Sequence, residues 1–212
     1  MDALAAHINQ PLFPLALRQF LATYDDRDSN PPDDIEDCPA FKGKIYVHHS
    51  AVACYYAPSD LCGVGGMYRE RIRANPSWYG EKARHDTVFV VLDGDQPGML
   101  GMVIARVFLF FSFSYRHKDF SCAFVQWFIR ESDEPDEDTG MWIIHPESDH
   151  RGQPSFAVID TDTIARGAHL LPIYGADRVP EDFDYSLALQ SFKSFFVNEY
   201  VEIGRASCRE RV

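Results

Sequence analysis

Three long apolar runs, TVFVVL, GMVIARVFLFFSFSY and FSCAFVQWFI, follow one another between Thr87 and Ile129. Runs this rich in Val, Ile and Phe, bounded by turn residues, read as β-strands in the interior of a sheet. Asp93-Gly94 and Gln96-Pro97-Gly98 separate the first run from the second, and Arg116 to Asp119 separates the second from the third. In the second run Val103, Val107, Leu109, Phe111 and Phe113 share one parity, while Met102, Ile104, Phe108 and Phe110 share the other. A strand apolar on both parities must be bent or covered by another layer. No catalytic signature falls inside the runs.

At 212 residues the chain is expected to form one domain, with or without extensions. Aromatic residues make up 14%, with 16 Phe, which suits the packed interior of a barrel or sandwich. The net charge of −12 argues against attraction of the whole chain to nucleic acid or anionic membrane, though a local basic patch stays compatible with it. Five Cys at irregular spacing, with no secretory signal, point to an intracellular protein with reduced thiols. No run reaches the roughly 20 apolar residues that span a bilayer, so no membrane partner is expected.

Residues 1–24 read as helical, with Pro11 and Pro14 at the start and Leu17, Phe20, Leu21 and Tyr24 on one face. Asp25 to Asp37 is an acidic, Pro-rich linker. Ile45 to His49 and Cys54 to Ala57 read as strands, Pro58 to Asp60 and Gly63 to Gly66 as breaks, and Asn75 to His85 as a loop. The glycines lack the spacing of a phosphate-binding loop. In Met67 to Arg73 the alternation places Arg69, Arg71 and Arg73 on one face and Tyr68, Glu70 and Ile72 on the other. Trp142 to His145 and Phe156 to Ile159 are short strands, and His169 to Tyr174 is an edge strand because Pro172 has no N–H for a ladder. Arg178 to Glu181 reads as a turn, and Asp184 or Ser186 is placed to cap a final helix through Phe195 and Phe196.

Four constellations bear on chemistry. Arg69, Arg71 and Arg73, with Arg84 and then Arg116 and Lys118, form the candidate binding surface, since guanidinium groups grip phosphates. Exposed arginines paired with nearby acids are the plainer alternative. Cys38, His48, His49, Cys54 and Cys62 are zinc-type ligands, but their spacing matches no finger pattern. Cys122 with His117 lacks a third group to fix a nucleophile and its base. Asp160 and Asp162, joined by Asp93 or Glu131, could supply the carboxylates of a metal-dependent nuclease, or simply shape turns. No motif calls for a cofactor, a bound metal or a small-molecule substrate.

The segments YYAPSDLCGVGGMYRERIR, DTVFVVLDGDQPGMLGMVIARVFLFFSF, DEPDEDTGMW, DTIARGAHLLPIYG and RVPEDFDYSLALQSFKSFFVN resemble the C-terminal region of fungal Plavaka-type transposases, relatives of the CACTA superfamily. The resemblance covers about residues 37 to 201. It implies that the RNase H-type catalytic core lies upstream, so no catalytic residue is carried onto this chain. It also implies a nuclear location and an accessory, non-catalytic role contacting DNA, chromatin or the transposase core. The strand pattern is similar to bromo-adjacent-homology barrels, an analogy of fold alone.

The last eleven residues, EIGRASCRERV, resemble a translated sequencing adapter and are set aside. They carry three Arg and two Glu, so the remainder stands at −13. The expected organisation is an N-terminal helix and acidic linker over 1–37, a barrel-like domain over 38–201, and an adapter-derived tail over 202–212. The expected fold is mainly β (α+β): an open, barrel-like antiparallel sheet of about six to eight strands with helices flanking it at both ends. The expected function is an interaction module of a transposase. The alternatives are a metal-dependent nuclease and a decayed fragment without function.

Overall fold

The computed structural model describes residues 1–26, 31–32, 34–56, 66–78, 82–149, 152–175, 183–184 and 187–198. Several expectations lie outside these: Cys62, the break at 58–60, most of Gly63 to Gly66, the turn at 178–181, a cap at Ser186, and the tail at 202–212.

The chain begins with two helices, α1 (Asp2–His7) and α2 (Phe13–Asp25). Asn9 between them has a φ of 52°, and Pro14 opens α2, a position where its missing N–H leaves no hydrogen bond unmade. Twelve strands follow among the described residues: β1 (Ile45–His48), β2 (Ser50–Tyr56), β3 (Met67–Trp78), β4 (Lys82–His85), β5 (Thr87–Val91), β6 (Met102–Tyr115), β7 (Lys118–Arg130), β8 (Trp142–Pro146), β9 (Phe156–Asp160), β10 (Ile164–Ala168), β11 (Leu170–Pro172) and β12 (Phe195–Val197). A one-turn helix, α3 (Ala188–Ser191), precedes β12.

The fold is mainly β, and its main sheet is a nearly closed antiparallel barrel of seven strands in the order β10-β5-β6-β7-β8-β12-β11. The two end strands are one stretch of chain. β10 pairs with β5 and β11 with β12, and His169 alone separates them. The His169 carbonyl accepts from the Asn198 N–H at 2.8 Å, which extends the β11–β12 ladder to the join. β1 adds to the far half of β6 and β9 to the near half of β7. A separate sheet, β2-β3-β4, lies over the outside.

The β6–β7 hairpin explains this layering. Val107 pairs with Val125 and Leu109 with Phe124, so Phe108 is an extra residue, a β-bulge. The bulge shifts parity by one and keeps each face continuous. Ala105, Val107, Phe110, Ala123 and Val125 form one face, packed beneath Ile72 and Ala74 of β3. Ile104 and Phe128 on the other face point into the barrel with Phe89, Ile144, Phe195 and Val197. Beyond the bulge that same face carries Leu109, Phe111, Phe113, Phe120 and Phe124, covered by α1 and α2. The strand is therefore both bent and covered, on each side.

Two expectations are corrected. Phe195 and Phe196 are not helical: α3 stops at Ser191, and β12 pairs with both β8 and β11. Phe195 and Val197 alternate with period two into the barrel, and that burial outweighs a helical reading of the local sequence. Asn75 to His85 is not a loop over its described part, because β3 runs on to Trp78 and pairs with β4. Strand β10 was not foreseen. No helix among the described residues is long and apolar enough to cross a membrane.

Phe13 fastens the helices to the sheet. It is fully buried and meets Phe111 and Phe124 edge to face, at 5.3 and 5.4 Å. Phe13→Ala is expected to lower unfolding stability by about 3–5 kcal/mol, read from urea denaturation.

Candidate functional site

Alternation along β3 sorts its side chains. Ile72 and Ala74 are buried against the barrel wall, while Arg69 and Arg71 are exposed and Arg73 is half-buried. On the inward parity, Glu70 Oε2 accepts from the Gly167 N–H of β10 at 2.8 Å. A Cβ on Gly167 would lie 2.5 Å from Glu70 Oε1, so any larger residue would push the Glu70 carboxylate from this position. That contact helps set β3 beside the β10–β11 stretch.

Between them runs a groove of about 530 Å³, and Arg69, Arg71, Arg73 and Arg84 all line it. Asp86 organises two of the four. Its Oδ2 accepts from the Arg73 N–H at 2.9 Å, and its Oδ1 pairs with Arg84 Nε at 2.8 Å. The Arg73 and Arg84 guanidinium groups lie 4.9 and 5.2 Å from the Trp78 ring centroid, within cation–π range. Arg71 Nη1 donates to Ser50 Oγ at 3.1 Å. On the outward parity of the ribbon, Val52, Tyr56 and Met67 stand 50%, 60% and 45% exposed. The site is thus basic and aromatic, with exposed apolar groups nearby.

Arg116 and Lys118 are not in the groove lining. Arg116 and His117 form the two-residue turn of the β6–β7 hairpin, with φ of 47° and 64°. Arg116 is ion-paired with Asp25 at 2.8 Å, and Lys118 Nζ lies 4.9 Å from both the Tyr24 and Phe120 ring centroids. Both side chains thus pin the hairpin tip to the end of α2.

The other constellations do not assemble. Asp160 Oδ1 accepts from the Asp162 N–H at 3.0 Å, shaping the turn before β10. Asp93 does the same for Asp95, at 2.9 Å. Among the described residues no group of three or more His, Cys, Asp and Glu side chains could hold a metal ion. Cys38 is buried, its Sγ directed at the Asp34 carbonyl at 3.4 Å, whereas Cys54 is exposed on β2. Cys122 has His48, not His117, on the wall of its cavity, which is about 340 Å³. His48 Nε2 is engaged with Ser112 Oγ at 3.0 Å. Burial, and then the charge of Asp160, push the Cys122 thiol up to about 12, so it is not a thiolate at neutral pH.

One charged residue escaped the candidate set. Arg106 interrupts the second apolar run and is 5% exposed in the structure. Burial draws its pKa down to about 10, so it stays cationic at neutral pH. His85 neighbours it, its ring tilted by 33° against Phe108 with centroids 4.7 Å apart. Burial, then Arg106, pull the His85 pKa down to about 4, against an opposing pull from Asp86. The visible signal was a lone Arg inside an otherwise apolar strand.

His85 makes stability depend on pH. Its folded pKa of about 4 lies below the unfolded value of 6.5, so unfolding takes up a proton between those limits. Stability should therefore fall as pH drops from 6.5 toward 4, by up to about 3 kcal/mol from this residue. The difference between wild type and His85→Phe in urea midpoint, followed against pH, reads this contribution. Alkylation of the native protein at pH 8, followed by peptide mass spectrometry, should modify Cys54 and spare Cys122.

No known protein family, curated protein or solved structure matches the chain.

Proposed function

We propose that this chain is a non-catalytic interaction module that receives a polyanionic partner, DNA in the first instance, along the groove beside β3. The observation that carries the reading is the convergence of Arg69, Arg71, Arg73 and Arg84 on one groove in a chain of net charge −12. A local basic surface against an acidic background favours one orientation of an anionic partner. Trp78, within cation–π range of Arg73 and Arg84, adds an aromatic ring beside two of these arginines. Asp86 and Glu70 neutralise part of the surface, which suits moderate, salt-sensitive binding.

The motif resemblance to Plavaka-type transposase tails agrees with an accessory role, and a nuclear location belongs to the same reading. The nuclease alternative draws on Asp160 and Asp162, where a carboxylate of Asp160 serves the local turn. A second reading, an acidic protein segment, is favoured by the exposed Val52, Tyr56 and Met67 near the arginines.

The test is duplex DNA binding at 50–200 mM salt. Wild type should bind at low salt, and the triple variant Arg69→Glu/Arg71→Glu/Arg73→Glu should lose that binding. Single Arg→Gln variants should each flatten the logarithmic salt dependence by about 0.9 for every phosphate contact removed. Binding unchanged in the triple variant, or none by wild type, sinks the DNA reading. In the second case acidic peptides become the probe.

A further inference from the structure

Arg106 lies between Thr87 and Gln126 in the β5–β6–β7 ladder, on the face that turns into the barrel. Its Nε is buried with no hydrogen-bond partner. The Gln190 amide, oriented with its oxygen inward, accepts from Nη1 and Nη2 at 3.0 and 3.1 Å, and its nitrogen donates to the Leu187 carbonyl at 3.2 Å. The Phe108 ring centroid is 5.1 Å from the guanidinium carbon. No carboxylate is ion-paired with Arg106 among the described residues. A guanidinium taken out of water against a neutral amide alone is left with most of its desolvation penalty.

That guanidinium lines a cavity of about 440 Å³, bounded also by His7, Lys82, His85 and Gln190. The carboxylate on the same wall, Asp184, is paired with Lys82 at 2.5 Å. The cavity volume falls within the range of about 300–1,000 Å³ common for small-molecule sites. An oxyanion is a stronger partner for a guanidinium fork than an amide oxygen. Gln190 is exposed and sits on the one-turn helix α3, so its amide can give way without disturbing the sheet.

We propose that this cavity binds a small molecule through a carboxylate or phosphate group, with Arg106 as the gripping residue and the Gln190 amide as the group the ligand oxyanion displaces. This site is lined separately from the arginine groove, shares only His85 with it, and does not depend on DNA binding.

Thermal unfolding of the full chain tests it, with inorganic phosphate or malonate titrated against sodium chloride at equal ionic strength. A saturable rise in melting temperature of about 5 °C beyond the chloride control is expected at concentrations far above Kd. Whichever anion acts at the lower concentration separates phosphate from carboxylate recognition. Gln190→Glu, an exposed substitution, supplies a carboxylate from the chain itself. It should melt higher than wild type without added anion and lose the response. No rise beyond chloride, or an undiminished rise in Gln190→Glu, overturns the proposal.

Discussion

A hairpin with two apolar faces cannot be left half-covered, and the β6–β7 pair has two. Each face is long, aromatic and continuous across the bulge at Phe108. Three different covers meet that demand. The barrel closes over one half of one face, the α1–α2 pair over its other half, and the β2–β3 ribbon over the opposite face. Each cover is held by apolar packing, and of those packing residues Ile72, Ala168, Leu170, Leu189 and Phe195 also line the arginine groove. The bulge is what allows one strand to serve three layers. Without the extra residue, every side chain beyond it would exchange faces.

The strand core was legible because its signals are local. Val103 to Phe113 and Phe120 to Phe128 announce strands by composition, and the double-sided apolar pattern announces cover on both faces. The alternation of Arg69, Arg71 and Arg73 with Glu70 and Ile72 was equally readable, since period two fixes which residues share a face. What failed was non-local. Phe195 and Phe196 have no strand signal of their own beyond a short run of aromatics, and only the gap between β8 and β11 makes them a strand. Ile164 to Ala168 contains Arg and Gly and looks like a turn until β5 is placed against it. Arg116 and Lys118 were charges without an address in sequence, and the fold spends them on Asp25, Tyr24 and Phe120.

The candidate sites divide along the same line. Arg69, Arg71 and Arg73 share one face of β3 and could be named from spacing. Arg106 could not be recognised as a site residue, because its surroundings come from elements far apart in the chain: Phe108 beside it, His85 across a hairpin, and Gln190 from the far end of the described chain. Buried charge is a property of assembly. Here the assembly buries His85 and places a cation beside it, and burial first, then that charge, hold the ring neutral.

The single stretch Ile164–Pro172 that borders both ends of the sheet has a consequence for how the molecule is made. β10 joins a strand some eighty residues earlier, and β11 waits for Phe195–Val197, so the barrel has no local route to closure. During synthesis the β5–β8 staves emerge before β10–β12, with apolar inner faces and an unpaired edge on β8. They stay in that state until nearly all of the described chain has left the ribosome. Closure therefore rests on pairings far apart in sequence, the kind of contact that slows folding and lengthens the exposure of apolar strands.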